Sequence, residues 1–421
     1  MTKRQRAPLS VDEKAVLSAH RAMMSRRSVL SGAGAVSLGA ALAACGTSAP
    51  GTGSATGTAG GAAAKPQPAV DRSDTDKVVN WANWTLYLDY DDKTKTYPTL
   101  VEFQKETGIK ATYAEDINDN DEYYGKIQGQ LKNGQDIGKD VIVLTDWMAA
   151  RLVRQGYVQR LDHAVMPNWK NLLQPLQNVD YDPGRNYSIT WQSGFTGIAW
   201  NNKLLKQMTG KSSLHTVSEL WDPKLKGRVE VLSEMRDTMG LILFDQGVNP
   251  SSNFTAAQFS TAIADLEKQL NSGQIRQVKG NDYKQDLISE DMVAGMVWSG
   301  DITQLNFENG NKWTFVIPDP GGMLWSDNLM VPIGSPHKKN AEILINYYYE
   351  PTVAATVEDY VNYICPVQGA QQAMEKVDPS LVHNQLIFPS SDTLGNTAGF
   401  RSLTPAEETS FNTQFQKVLG V

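Results

Sequence analysis

Four tryptophans fall where short strands are expected to run out into loops, three of them beside acids. Trp84 lies in Asn83-Trp84-Thr85-Leu86-Tyr87, Trp147 follows Asp146, Trp298 precedes Gly300-Asp301, and Trp325 stands two residues before Asp327. An indole face attracts a cation by roughly 0.5 to 2 kcal/mol, and a carboxylate can neutralise an ammonium that has left water. The combination suits a small organic polycation in which methylenes alternate with ammonium groups, because each buried charge needs an acid of its own. The same residue types line sugar clefts, and two carboxylates set across a glycosidic bond would make a glycoside hydrolase. A sugar-binding protein and a secreted hydrolase therefore stand as alternatives at this level, and plain core packing is open to any single tryptophan.

Other chemistry has little support in the residues. After Cys45 there is no Gly-x-Ser-x-Gly elbow, no His-Glu-x-x-His, no Walker loop and no Cys-x-x-Cys. His163, His215, His337 and His383 are scattered and singly placed. The expectation is a chain without catalytic residues, metal site or cofactor.

The elements that must position the aromatic and acidic residues alternate short β-rich runs with helical patterns, which argues for α/β architecture with largely parallel sheets. Strands are expected at Lys77 to Trp81, Lys110 to Ala114, Val141 to Leu144, Arg228 to Leu232, Met292 to Trp298, Trp313 to Ile317 and Leu329 to Pro332. Pro98 can open a helix that Gly108 stops, and Gly156 can close a helix over Asp146 to Gln155. Further helices are expected at Asp121 to Lys132, Arg236 to Gln246, Ala256 to Leu270, Asn340 to Tyr349, Pro351 to Tyr360 and Pro405 to Leu419. In open α/β sheets ligands bind beyond the carboxyl ends of strands, where these tryptophans fall. The roughly 345 residues involved exceed what one core usually takes, so two lobes are expected.

The first residues decide the compartment. Arg26-Arg27 precede a weakly apolar run, Val29 to Ala44, too short to span a bilayer, and Leu42-Ala43-Ala44-Cys45 reads as a lipobox. Residues 1–44 are thus expected to be a signal peptide of twin-arginine type, with lipidation at Cys45 and a flexible tether over 45–75 rich in Gly, Ala, Ser, Thr and Pro. The expected location is the outer face of the cytoplasmic membrane. Without residues 1–44 the chain has 32 Lys+Arg against 44 Asp+Glu, net −12. That balance disfavours nucleic acid and is compatible with a cationic ligand. Cys365 is then the one cysteine besides the anchor, so no internal disulfide between free thiols is expected.

From Val78 to about Gly369 the sequence resembles the periplasmic spermidine/putrescine-binding proteins of ABC importers. The segments that carry the likeness are Asn83 to Tyr87, Phe103 to Lys110, Tyr187-Ser188-Ile189, Trp221 to Gly227, Gly295 to Gly300 and Trp325-Ser326-Asp327. The resemblance implies a two-lobed type II periplasmic-binding-protein fold with a hinge and a central ligand cleft. It also implies a monomer that captures putrescine or spermidine by closing and then docks on a membrane permease. The lobes would be 76–194 with 327–372, and 195–326 with 373–421, with crossings near Phe195 and Trp325. By position the ligand-binding residues would be Trp84, Thr85, Thr145, Trp147, Glu234, Asp237, Trp298, Asp301, Trp325, Asp327 and Tyr363. The residue after Thr85 is often acidic in the family and is Leu86 here, so that amine anchor is missing or has moved to Asp89. The family's late glutamine contact has no clear counterpart, with Arg401 near its place.

Overall fold

The computed structural model describes residues 65–420. The expected signal peptide, Cys45 and most of the expected tether lie outside the described residues. Nine strands carry the architecture: β1 (Val78–Trp84), β2 (Lys110–Ile117), β3 (Val141–Thr145), β4 (Ile189–Asn201), β5 (Val229–Leu232), β6 (Ile275–Lys279), β7 (Ala294–Trp298), β8 (Trp313–Val316) and β9 (Gly322–Met330). They form one curled sheet in the order β2-β1-β3-β9-β4-β7-β5-β6, with β8 on β4 and the short strand Thr397–Ala398 on β9.

The expectation of largely parallel sheets holds only at the two wings. β1 pairs in parallel with β2 and β3, and β5 with β6 and β7. The centre is antiparallel, because β4 and β9 run from one wing into the other: β9 pairs with both β3 and β4, and β4 pairs with β7. Phe195 lies opposite Leu324, and Gly194 opposite Trp325. The two positions expected as crossings are therefore neighbours on adjoining strands.

Local signals account for most boundaries. The helix Pro98–Thr107 starts on its proline and ends at Gly108 with φ 69°, and the helix Asp146–Gln155 ends at Gly156 with φ 72°, left-handed positions that glycine occupies without a Cβ penalty. Capping boxes open the helices Ala256–Asn271, through Thr255 and Gln258, and Pro405–Leu419, through Thr404 and Glu407. β4 gave no such signal. All thirteen of its residues are buried, yet Gln, Ser, Thr and two glycines interrupt its apolar run, so it shows neither alternation nor a continuous apolar stretch.

The expected tether ends earlier than residue 75. Ala69 and Arg72 donate backbone N–H groups to Ile333 and Pro336 carbonyls, at 3.0 and 2.7 Å, and buried Ser73 accepts from the Asn340 N–H. Asp71 and Ser73 can cap locally, and a polar composition alone does not show that the folded unit will supply partners. At the other terminus, Phe411 stacks on Phe259 at 4.0 Å. Glu408 on the same helix takes Arg151 and Arg154 from the helix after β3, and Arg236 from the helix after β5. The C-terminal helix thereby touches elements of both wings.

Candidate functional site

The carboxyl ends of the parallel strands converge on a cavity whose empty space, counted out into open solvent, is about 400 Å³. β1 delivers Trp84, and the turn after it Thr85 and Tyr87; β3 ends on Thr145; Glu234 and Asp237 open the helix after β5; Trp298 ends β7, with Asp301 in the next helical turn. β9 contributes Trp325 and Asp327, and Tyr363 and Asn281 come from loops. Ten of the eleven expected residues line this cavity.

Its acids are buried and mostly lack counter-cations. Asp327 accepts Thr145 Oγ1 at 2.8 Å on one oxygen and Tyr87 OH at 2.9 Å on the other. Burial, reinforced by Asp146 and Asp237, pushes its pKa up to about 7 against the pull of those hydroxyls. Glu234 accepts both the backbone N–H and the side-chain amide of Asn120, at 2.9 and 2.8 Å. Burial and the neighbouring Asp119 and Asp237 hold its carboxyl well above the ordinary range. Asp237 accepts Thr196 Oγ1 and, at 3.4 Å, the Trp298 indole N–H; burial raises it to about 6. Among the described residues, none of these three carboxylates has an ion-pair partner. Each pays a desolvation cost that a bound cation would relieve.

The walls are fixed by hydrogen bonds at the polar ends of the rings. Trp84 Nε1 donates to Val143 O at 3.1 Å, and Trp325 Nε1 to Thr196 Oγ1 at 3.0 Å. Trp84 and Trp298 stand 6.4 Å apart, Trp325 and Tyr363 5.4 Å, and Tyr87 meets Tyr363 edge-on at 5.3 Å. Two glycines make room for this wall. A Cβ at Gly194 would lie 2.4 Å from the Trp325 ring, and one at Gly300 2.5 Å from the Tyr363 ring.

The wings meet across the cavity mouth. Ser233 donates to Asp119 at 2.7 Å, Asn120 bridges Glu234 to Thr145, and Gln304 donates to the Leu86 carbonyl at 3.1 Å. Glu234, Asn120, Thr145 and Asp327 thus form one continuous chain of hydrogen bonds from one wing to the other.

Three positions singled out in the sequence fall outside the cavity. Trp147 is not among the lining residues: Arg236 lies 4.1 Å from its ring centre and Arg151 4.9 Å, so guanidinium groups of the protein occupy its faces. Asp89 does not replace the acid missing at Leu86. It is buried against Thr99, whose N–H and hydroxyl both donate to it, and it serves the first turn of the helix Pro98–Thr107. Leu86 itself holds φ 61°, a left-handed conformation that is rare for this residue type and shapes the turn carrying Thr85 and Tyr87. Arg401 lies over Phe254 at 4.4 Å and pairs with Glu407, outside the cavity. Two further residues line the cavity without a signal in the sequence that sets them apart: Tyr87, inside the motif Asn83 to Tyr87, and Asn281, whose buried Oδ1 has no hydrogen-bond partner among the described residues.

Residues 99–382 match the family described as bacterial extracellular solute-binding protein. This chain belongs to that family. The binding protein is 27% identical over 326 residues to the spermidine/putrescine-binding periplasmic protein 1 of Haemophilus influenzae, covering 77% of this chain and 86% of that one. It is 27% identical over 332 residues to the putrescine-binding periplasmic protein PotF of Escherichia coli, covering 75% and 84%. Its fold matches the spermidine/putrescine ABC transporter substrate-binding protein PotD from Streptococcus pneumoniae with a TM-score of 0.64 at 22% identity, over 81% of this chain and 98% of that one. At such identity the likeness speaks for the fold, the two-lobed α/β architecture of periplasmic binding proteins. The family is one of solute binding for transport rather than of catalysis.

Proposed function

We propose that this binding protein captures a polyamine outside the cytoplasmic membrane and delivers it to an ABC importer. The observation that carries the reading is the cavity itself, where three buried carboxyl groups, without ion-pair partners among the described residues, face Trp and Tyr rings. An ammonium can enter such a box because each acid it meets is already desolvated and gains a partner. A neutral sugar would leave those acids as they are. The names of the relatives agree with a polyamine.

Capture works by population shift. Ligand atoms touch residues of both wings, so the closed arrangement gains contacts that an open one lacks. The lobes that close are 76–194 with 327–372, and 195–326 with 373–421, turning about the paired strands at Phe195 and Trp325. Nine of the expected residues hold the ligand: Trp84, Trp298, Trp325 and Tyr363 as walls, Asp327, Glu234 and Asp237 as acids, and Thr85 and Thr145 as polar contacts; Asp301 supports the wall by accepting from the Tyr363 hydroxyl. Cys45 carries the lipid, and the protein acts as a monomer that docks on the permease.

Isothermal titration of the chain lacking residues 1–45 with putrescine, spermidine, neutral sugars and amino acids tests the reading. Saturable binding of an amine alone is expected. Tight sugar binding without amine heat would replace it with the sugar reading, and turnover of a glycoside would replace it with the hydrolase.

A further inference from the structure

One acid of the cavity differs from the others in having its charge already answered. Lys284, on the short helix Tyr283–Ile288, places Nζ 3.1 Å from Asp301 Oδ1, with the two side chains 7% and 4% exposed. Tyr363 OH donates to the same oxygen at 3.0 Å, and Tyr283 OH to Oδ2 at 2.7 Å. Both carboxylate oxygens are thus engaged by donors of the protein, one of them by a fixed ammonium. A ligand ammonium brought to Asp301 would meet a like charge on the oxygen it needs, in a setting too dry to screen the repulsion.

We infer that Lys284 is a built-in cation that occupies one acid position of the cavity and sets the site to take a diamine in preference to a triamine. The inference rests on the amine reading above. The remaining acids agree with it. Asp327 stands with Tyr87 and Thr145 on one side, while Glu234 and Asp237 sit three residues apart on one turn and act as a single cationic subsite. Burial, Asp119 and Asp237 hold the Glu234 carboxyl well above the usual carboxylate range, which favours a single charge on the pair. Two ammonium groups are matched in this way. A third has no acid left, because Leu86 is apolar, Asp89 serves Thr99, and Asp301 belongs to Lys284. A buried ammonium without its own acid is costly enough to reverse a preference that added apolar contact would otherwise favour.

The test is calorimetry at pH 8 with putrescine and spermidine on the parent, Lys284→Met and Lys284→Arg, each with a thermal melt. The parent should bind putrescine more tightly than spermidine. Lys284→Met is one atom shorter, keeps an unbranched apolar stem and frees Asp301, so the affinity ratio should move toward spermidine by ~10-fold or more, the least expected of a charge-assisted pair in a buried site. Lys284→Arg should keep the parent's preference, and Asp301→Asn added to Lys284→Met should restore it. A parent that binds neither amine removes the amine reading itself. A parent that binds both, with a ratio unchanged in Lys284→Met or with both amines weakened equally as the melting temperature falls, leaves the amine reading standing and overturns the role of Lys284. Should Lys284→Met fail to fold, the parent decides: spermidine bound as tightly as putrescine overturns the inference.

Discussion

Replacing Asp327 with Asn should abolish tight amine binding while making the empty protein more stable, and the two effects have one cause. The carboxylate is buried, and two neutral hydroxyls, from Thr145 at 2.8 Å and Tyr87 at 2.9 Å, are its hydrogen-bond donors. Asn preserves the shape, and both hydroxyls can rotate to meet an amide. Removing one partner of a buried charge pair typically costs ~2 to 5 kcal/mol, on the order of thirtyfold to several-thousandfold in affinity. The stability effect has the opposite sign. The Asp327 pKa rises from 3.8 to about 7 on folding. Below the unfolded value the group is protonated in both states and contributes nothing. Between the two values the unfolded chain gives up a proton that the folded one keeps, so stability falls as pH rises. Above the folded value the penalty is constant, about 4 kcal/mol at most and of order of magnitude only. Thermal melts of ligand-free parent and Asp327→Asn from pH 4 to 8 should therefore diverge, with the variant the more stable at pH 8. Amine titrations at pH 6 and 8 should show the parent gaining affinity with pH and the variant gaining less. An Asn variant that binds putrescine and spermidine as the parent does would remove Asp327 from the site. One that is no more stable than the parent at pH 8 would refute the claim that the empty cavity holds an uncompensated carboxylate.

Other perturbations separate the wall, the turn and the anchor. Gly194→Ala should push the Trp325 ring aside, since the new Cβ would lie 2.4 Å from it; an affinity loss of ~10-fold or more, with quenched or shifted tryptophan fluorescence, is expected from a lost aromatic contact. Asp89→Ala should weaken the start of the helix Pro98–Thr107, where Thr99 donates twice to Asp89, lowering stability by ~0.5 to 2 kcal/mol in chemical denaturation while leaving the putrescine-to-spermidine ratio unchanged. Cys45→Ser should release the protein into the soluble fraction with ligand affinity intact, because the residues that line the cavity all lie beyond residue 83; equal membrane retention would refute the lipobox.

Much of the scaffold was legible because its signals are local. Pro98, Gly108 and Gly156 mark helix ends through backbone geometry that any neighbouring sequence must respect, and the run Val141 to Leu144 is buried on both faces as its composition suggests. The cavity residues were legible as types and positions: Trp84, Trp298 and Asp301 follow parallel strands, and a strand's carboxyl end is where an α/β sheet opens. β4 was not legible, since burial of Gln192, Ser193 and Thr196 depends on partners contributed by distant segments, such as Ser326 for Ser193 and Asp237 for Thr196. Trp147 and Asp89 show the same limit from the other side. Each has the right residue type beside the right motif, and each is claimed by a neighbour, Arg236 for Trp147 and Thr99 for Asp89.

The sequence by itself determined that a set of aromatic and acidic side chains would gather at strand ends in an α/β protein, because residue type and strand or helix periodicity are written along the chain. Only the tertiary structure decided which acids stand unpaired. Whether a buried carboxylate is free for a ligand depends on whether a cation from elsewhere reaches it within hydrogen-bonding distance. Lys284 reaches Asp301, and among the described residues none pairs with Asp327. Charge compensation acts over a few ångströms of space whatever the separation along the chain, so it is settled by packing and not by spacing.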